Sequence, residues 1–203
     1  MKTKAVLFDF DGVVVDTETQ YSQFWHQMGM EYLGVDDIEG RVKGQTLVYI
    51  YDTFFPGMMK EQAEITERLN CFEQEMSFDF IPGVLDFIAD LHRHNVKTAV
   101  VTSSNEPKMA AVYRVHPEIK TLFDRILTAE MFTASKPAPD CFLLGMEVFG
   151  TTPDTTYVFE DSFNGLKAGM ASEATVIGLA TTNSREDIAP LCHAVLEDFV
   201  GFT

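Results

Sequence analysis

Short apolar runs, each too brief for a stable helix, punctuate this chain and are separated by segments of helical period. Residues 5–8, 98–101, 125–127, 156–159 and 175–178, with 194–196 as a sixth candidate, have the near-continuous hydrophobicity of strands buried on both faces. Val84, Phe87, Ile88 and Leu91 recur at helical spacing just after Pro82-Gly83, and Phe142, Leu143, Met146 and Phe149 do so before Gly150. Strand, helix, strand in alternation predicts an α/β chain built on a doubly wound parallel sheet.

One interval breaks the rhythm. Residues 16–81 separate the first strand from the helix after Pro82, far more chain than a crossover needs. Within it Tyr21, Phe24, Trp25 and Met28 share one helical face and Ile65, Leu69, Phe72 and Met76 another, with Pro56-Gly57 as a break between them. These stripes read as core, not as a cofactor box. The expected organisation is a sheet-based core of residues 1–15 and 82–203 with a helical insertion of residues 16–81, hinged near Asp16 and near Ile81-Pro82-Gly83. A chain of 203 residues buries roughly 70% of the surface its unfolded form exposes, so its core does not depend on disulfides.

Charge narrows the partners. With 31 Asp and Glu against 15 Lys and Arg, the formal net charge of −16 repels phosphate backbones and anionic lipid surfaces, so neither nucleic acid nor membrane is an expected partner. The apolar run after Lys4 stops at Asp9, too short for a secretory signal, and no stretch approaches the length of a membrane span. Cys71, Cys141 and Cys192 are odd in number and widely spaced, which reads as reduced core thiols in a cytoplasmic, soluble protein. A monomer is the expected state.

In an open parallel sheet, ligands bind beyond the carboxyl ends of the strands. Here the first strand ends in Asp9-Phe10-Asp11-Gly12 and the second in Thr102-Ser103-Ser104-Asn105. The third runs on to Ser135-Lys136-Pro137, and the fourth ends in Glu160-Asp161-Ser162. Carboxylates at the dry rim of a buried strand are costly to ionise, and two of them about 4 Å apart repel by about 4 kcal/mol at an effective dielectric of about 20. A divalent cation and the ammonium of Lys136 would make Asp9, Asp11, Glu160 and Asp161 tolerable together. An all-oxygen ligand set points to Mg²⁺, not to zinc or copper. The hydroxyl of Thr102 with the N–H groups of Ser103 and Ser104 resembles an anion cradle before a helix starting at about Glu106. Taken singly, these residues have plainer readings: an Asp as a turn residue, Ser104 as a helix N-cap, Lys136 as a solvated lysine. Coincidence on four strand ends outweighs them.

Other chemistries are not indicated. The Asp-x-Asp-Gly run lacks the later ligands of an EF-hand, no P-loop, dinucleotide fingerprint or nucleophile elbow is present, and His26, His92, His94, His116 and His193 lack zinc-like partners.

The ordered set Asp9-Phe10-Asp11-Gly12-Val13-Val14-Val15-Asp16-Thr17-Glu18, Thr102-Ser103-Ser104, Lys136-Pro137 and Glu160-Asp161-Ser162 with Gly165 resembles the four motifs of the haloacid dehalogenase-like hydrolase superfamily. A helical insertion between the first two motifs is similar to the subgroup that includes beta-phosphoglucomutase and small sugar-phosphate phosphatases. The run Ala134-Ser135-Lys136-Pro137-Ala138-Pro139-Asp140 is similar to the mutase-like branch. The resemblance implies a Rossmann-like core in which Asp9 attacks phosphorus to form an aspartyl-phosphate and Asp11 serves as general acid, then base. It implies Mg²⁺ on Asp9, Asp161 and the main-chain oxygen of Asp11, with Glu160 as direct or outer ligand. Thr102, Ser103, Ser104, Asn105 and Lys136 would serve the phosphoryl group of a small phosphate ester.

Departures from the pattern bear on the substrate. Where the mutases carry a cap Arg this chain has Leu47, where they carry Lys-Asn it has Asn105-Glu106, and Tyr21 stands where they have a His. The groups that would grip a second phosphate are thus missing, which favours a monoester phosphatase over a phosphomutase. Tyr21, Lys43, Gln45 and Thr46 are the expected specificity residues. Two non-enzymatic readings compete: a phosphoacceptor resembling bacterial receivers, which have no inserted cap and no acid two residues after the phosphorylated Asp, and an idle binding module.

Overall fold

The computed structural model describes residues 3–42 and 47–202, in two compact units. One runs up to Asp16 and resumes at Phe78; the other is Thr17–Ser77.

The first unit is a six-stranded, wholly parallel sheet in the order β3-β2-β1-β4-β5-β6. Its strands are β1 (Ala5–Phe8), β2 (Lys97–Val101), β3 (Arg125–Leu127), β4 (Thr156–Glu160), β5 (Thr175–Leu179) and β6 (Ala194–Leu196). The α/β, doubly wound reading therefore holds, with β2, β4 and β5 each one residue longer than the apolar runs suggested. The ladder extends them, since Lys97 pairs with Ala5, Glu160 with Gly178 and Leu179 with Leu196. Side chains alternate across β1, the central strand. Leu7 faces a cluster with Phe142, Met146, Val158 and Leu166, to which α8 (Asp140–Phe149) and α9 (Phe163–Ala171) contribute. Phe8 faces the other side, stacked on Phe159 at 5.3 Å and edge-on to Phe123 at 5.8 Å and to Phe87 of α5 (Val84–Arg93) at 6.1 Å. Helices thus bury both faces of the sheet, as a parallel sheet requires.

The strand order places the topological switch between β1 and β4, which leave the sheet centre in opposite directions. Beyond β1 the chain turns tightly, with Gly12 N–H donating to Val15 O at 2.8 Å and Val14 N–H to Phe10 O at 2.9 Å. The two connectors to the inserted unit are tied to each other and to this turn. Asp16 N–H donates to Asp79 O at 2.8 Å and Ile81 N–H to Val14 O at 3.0 Å.

The second unit is helical. Its helices are α1 (Glu18–Met28), α2 (Ile38–Val42), α3 (Leu47–Phe54) and α4 (Met59–Glu75), and α1 runs directly into a π-helical turn (Gly29–Leu33). Phe24, Trp25, Met28, Ile38, Ile50, Phe55, Ile65 and Leu69 form its own core, with Tyr21 and Phe72 packed at its edge. The aromatic stripes are core, as their spacing implied. Of the cysteines only Cys141 is buried; Cys192 is half-buried, and Cys71 lies on the exposed side of α4, so the expectation of three core thiols is corrected. The Ile65 and Leu69 stripe turns Cys71 outward. No helix among the described residues is long and apolar enough to cross a membrane.

Phe8 has no exposed surface and its ring packs against those of Phe87, Phe123, Phe159 and Phe199. Phe8→Ala should cost roughly 3 to 5 kcal/mol of stability. Urea unfolding of the two proteins checks this, and a loss below about 1 kcal/mol would contradict the packing described.

Candidate active site

The sheet register sets the site. Asp9 follows the last residue of β1, and its N–H still donates to Phe159 O at 2.9 Å, so the β1–β4 ladder carries it to the rim beside Glu160 and Asp161. All three carboxylates are buried, and each offers an oxygen within 4.8 Å of the other two. Lys136 reaches them from the segment between β3 and α8. Its ammonium donates to Asp9 Oδ1 at 2.5 Å, Glu160 Oε1 at 2.7 Å and Val101 O at 3.3 Å, and lies 5.1 Å from the centre of the Phe142 ring. The solvated-lysine reading of Lys136 is therefore wrong: its side chain is 6% exposed.

Glu160 has its other oxygen filled as well. Oε2 accepts from the N–H groups of Asp161 at 2.8 Å and Ser162 at 2.9 Å, and from the Ser162 hydroxyl at 3.0 Å. Gly165 is obligatory beneath it, since a Cβ there would stand 1.7 Å from Glu160 Oε1. Gly12 combines two requirements: φ of +76°, and a Cβ position 2.0 Å from Asp161 Oδ2.

One ammonium does not neutralise this cluster. Burial pushes the Asp9 carboxyl up to about 7 against the pull of Lys136, and the charges of Glu160 and Asp11 push in the same direction as burial. Burial also works against the charge of Lys136, but Asp9 and Glu160 outweigh it and hold the ammonium above the ordinary lysine range. Buried oxygen-only donors with surplus negative charge fit a hard divalent cation. The chemistry of the donor set therefore suits the metal that the resemblance implies.

Asp11 lies apart from this cluster but within its field. Its carboxyl is gripped by the segment after β2: the Ser104 hydroxyl donates to Oδ2 at 2.8 Å and the Lys108 ammonium to Oδ1 at 2.8 Å. Ser104 is thus not a helix N-cap. Asn105 caps α6 (Glu106–Val115), its side chain accepting from Lys108 N–H at 3.0 Å, while Ser104 N–H is spent on Thr102 Oγ1 at 2.9 Å. Thr102 is buried at the end of β2, and Ser103 and Asn105 are exposed. Lys108 was not anticipated from the sequence. Its presence also amends the expectation that the Asn105-Glu106 region brings no cation.

A fifth strand end contributes too. After β5, the Thr182 hydroxyl donates to Asp161 Oδ2, Asn183 Nδ2 to Asp161 O at 3.0 Å, and the Thr181 hydroxyl to Gly12 O at 2.6 Å. Rules for strand ends applied to Thr181-Thr182-Asn183 would have found them. In the helical unit, the Tyr21 hydroxyl donates to Glu73 Oε1 at 2.7 Å, and Tyr21 lines a cavity of about 250 Å³ with Trp25, Glu39, Val42 and Ile50. Leu47 begins α3 and packs on that unit's core. Lys43, Gln45 and Thr46 lie outside the described residues.

The raised value of Asp9 sets a pH dependence. Between its ordinary value of 3.8 and about 7, the folded metal-free protein holds a proton on Asp9 that the unfolded chain has released. Stability from this group is therefore lost as pH rises across that window and is level above it. Asp9→Asn removes the slope. In EDTA, the melting temperature of the variant should gain on the wild type as pH goes from about 4.5 to about 7.5, and a constant or shrinking difference would contradict the burial argument.

Residues 6–179 match the haloacid dehalogenase-like hydrolase family. The chain is 30% identical, over 98% of its length, to the Arabidopsis thaliana protein Suppressor of quenching 1, chloroplastic, but spans only 20% of that protein. It is 27% identical to Hexitol phosphatase A of Escherichia coli (strain K12), covering 88% of this chain and 84% of that one. Among solved structures, the HAD hydrolase, family IA, variant 3 from Entamoeba histolytica HM-1:IMSS superposes with a TM-score of 0.82 at 21% identity, over 99% of this chain and 96% of the other, a likeness of fold. With the family match spanning both the sheet and the inserted helices, the chain belongs to the haloacid dehalogenase-like hydrolases.

Proposed function

We propose that this enzyme hydrolyses small phosphate monoesters, sugar phosphates foremost, with Mg²⁺ as cofactor and a covalent phosphoryl group carried on Asp9. The observation that carries the reading is Lys136 bridging Asp9 and Glu160 beside Asp161, at the switch point of the sheet. A buried carboxylate held next to an ammonium, in a cluster that still needs a cation, is suited to meet a phosphoryl dianion. The name of the hexitol phosphatase relative supports a polyol or sugar as the leaving group.

In this reading Asp9, Asp161 and the main-chain oxygen of Asp11 would hold the cation, and Glu160, whose oxygens accept from protein donors, fixes Lys136 and the Asp161 turn. The bound cation supplies positive charge that masks the phosphoryl oxygens. A carboxylate oxygen of Asp9 attacks phosphorus, the bond from phosphorus to the ester oxygen breaks, and Asp11 gives its proton to the departing oxygen. Asp11 then takes a proton from water as the water oxygen attacks phosphorus. The bond from phosphorus to Asp9 breaks, and orthophosphate leaves. Thr102 and Ser103 donate to the phosphoryl oxygens throughout, and the Lys136 ammonium lends its charge beside them.

Phosphate release from p-nitrophenyl phosphate and from sugar phosphates should require a divalent cation. EDTA should abolish it, Mg²⁺ should restore it, and Asp9→Asn should reduce it to background while the protein remains folded. Activity that survives chelation or that substitution would overturn the proposed chemistry.

A second reading, phosphomutase, gains one observation, since Lys108 brings an ammonium to within 2.8 Å of Asp11. A mutase must retain a bisphosphate while it turns around, and Lys108 is already engaged by a carboxylate, so hydrolysis remains the expected outcome. Given beta-glucose 1-phosphate with a trace of the 1,6-bisphosphate, the enzyme should yield inorganic phosphate. Efficient formation of glucose 6-phosphate with little free phosphate would establish the mutase instead.

A further inference from the structure

We infer that Lys108 is a positioning residue for Asp11, and that with Ser104 it fixes the acid–base carboxyl in its working orientation. The inference rests on the phosphatase reading, in which Asp11 protonates the leaving oxygen. Asp11 lies in a turn three residues past the last residue of β1, and its side chain is 23% exposed. The terminal torsion of an aspartate is intrinsically broad, so a carboxyl there needs external anchors to hold one plane. Those anchors come from the segment after β2. Ser104 donates to one oxygen and Lys108 to the other, both at 2.8 Å. A single donor would let the carboxyl swivel about that one bond; donors on both oxygens fix its plane.

The anchors are themselves fixed. The Lys108 side chain is only 17% exposed, and its N–H is held by the Asn105 cap at the start of α6. The N–H of Ser104 is held by Thr102 Oγ1 at 2.9 Å. Thr102 is the proposed phosphoryl donor, so the acid and the group that seats the phosphate belong to one hydrogen-bonded unit. Misplacing the carboxyl should then impair the step that needs its proton and spare the step that does not.

The test uses kcat/KM, which reports events through cleavage of the ester bond, on p-nitrophenyl phosphate and phenyl phosphate with saturating Mg²⁺. The first has a leaving group acidic enough to depart without a proton; the second does not. Lys108→Met should lower kcat/KM for phenyl phosphate by about 10-fold to about 100-fold, and for p-nitrophenyl phosphate by less than about threefold. Lys108→Arg, which keeps a charged donor, should recover most of the phenyl phosphate loss, and Ser104→Ala should show the same selectivity to a smaller degree. Should Lys108→Met fail to fold, Ser104→Ala and Lys108→Arg carry the comparison. Asp11→Asn is the reference. If it shows no dependence on the leaving group, the assignment of Asp11 as acid falls and this inference falls with it. If Asp11→Asn shows that dependence while the Lys108 and Ser104 variants lower both esters equally, lower neither, or raise turnover of phenyl phosphate, the positioning role alone is overturned.

Discussion

The contact of Lys136 with Asp9 and Glu160 is the interaction on which the site depends. A parallel sheet buried on both faces delivers its strand ends to a dry rim, and β1 and β4 both end in carboxylates there. Removing one partner of a buried pair strands the other charge and costs about 3 to 5 kcal/mol. Lys136 meets two such partners at once, and its own stem is buried, so it is as dependent on the carboxylates as they are on it. Its charge nevertheless falls short, since burial still lifts Asp9 to about 7. The deficit leaves the fold short of positive charge at the place where a cation and an anionic substrate would arrive together.

The loops around this pair are shaped to allow close approach. Gly12 and Gly165 sit where any Cβ would collide with Asp161 and Glu160 respectively. The turn after β1, the turn after β4 and the loop after β5 therefore interlock, with Thr181 holding Gly12 O while Thr182 and Asn183 hold Asp161. Asp9 and Asp161 are held by elements other than their own, and Glu160 by Lys136 together with the turn that follows it. A rim assembled this way is cross-tied by hydrogen bonds, which suits a site whose parts come from five separate segments of sequence.

Much of this was legible because the residues lie next to strands. Apolar runs of three or four residues declare themselves, and the rule that ligands gather beyond carboxyl ends then singles out Asp9, Thr102, Lys136, Glu160 and Asp161. Lys108 obeys no such rule. It lies within the first turn of α6, and its direction depends on where that helix begins, which turned on whether Ser104 or Asn105 was the cap. Sequence favours either residue at an N-cap. Only the backbone decides, and in giving the cap to Asn105 it frees the Ser104 hydroxyl for Asp11. Glu160 shows another limit: the sequence identifies it as acidic and near the site, but not that every oxygen is already filled by protein donors.

The two aspartates of the first motif show how one fold separates two roles for the same side chain. Asp9 continues the ladder of β1, is buried, and shares its ammonium with Glu160. Asp11 lies in the turn, is partly exposed, and has its own ammonium and a hydroxyl. Two residues of chain suffice because the first is still hydrogen-bonded to β4 and the second is not. In the proposed chemistry the nucleophile must stay ionised at a fixed point, while the acid must exchange a proton with both an ester and water. The strand end holds the nucleophile at a fixed point, where Lys136 and a bound cation would offset the cost of ionising it in a dry site, and a partly open turn serves the acid, so the division of labour follows from where β1 stops.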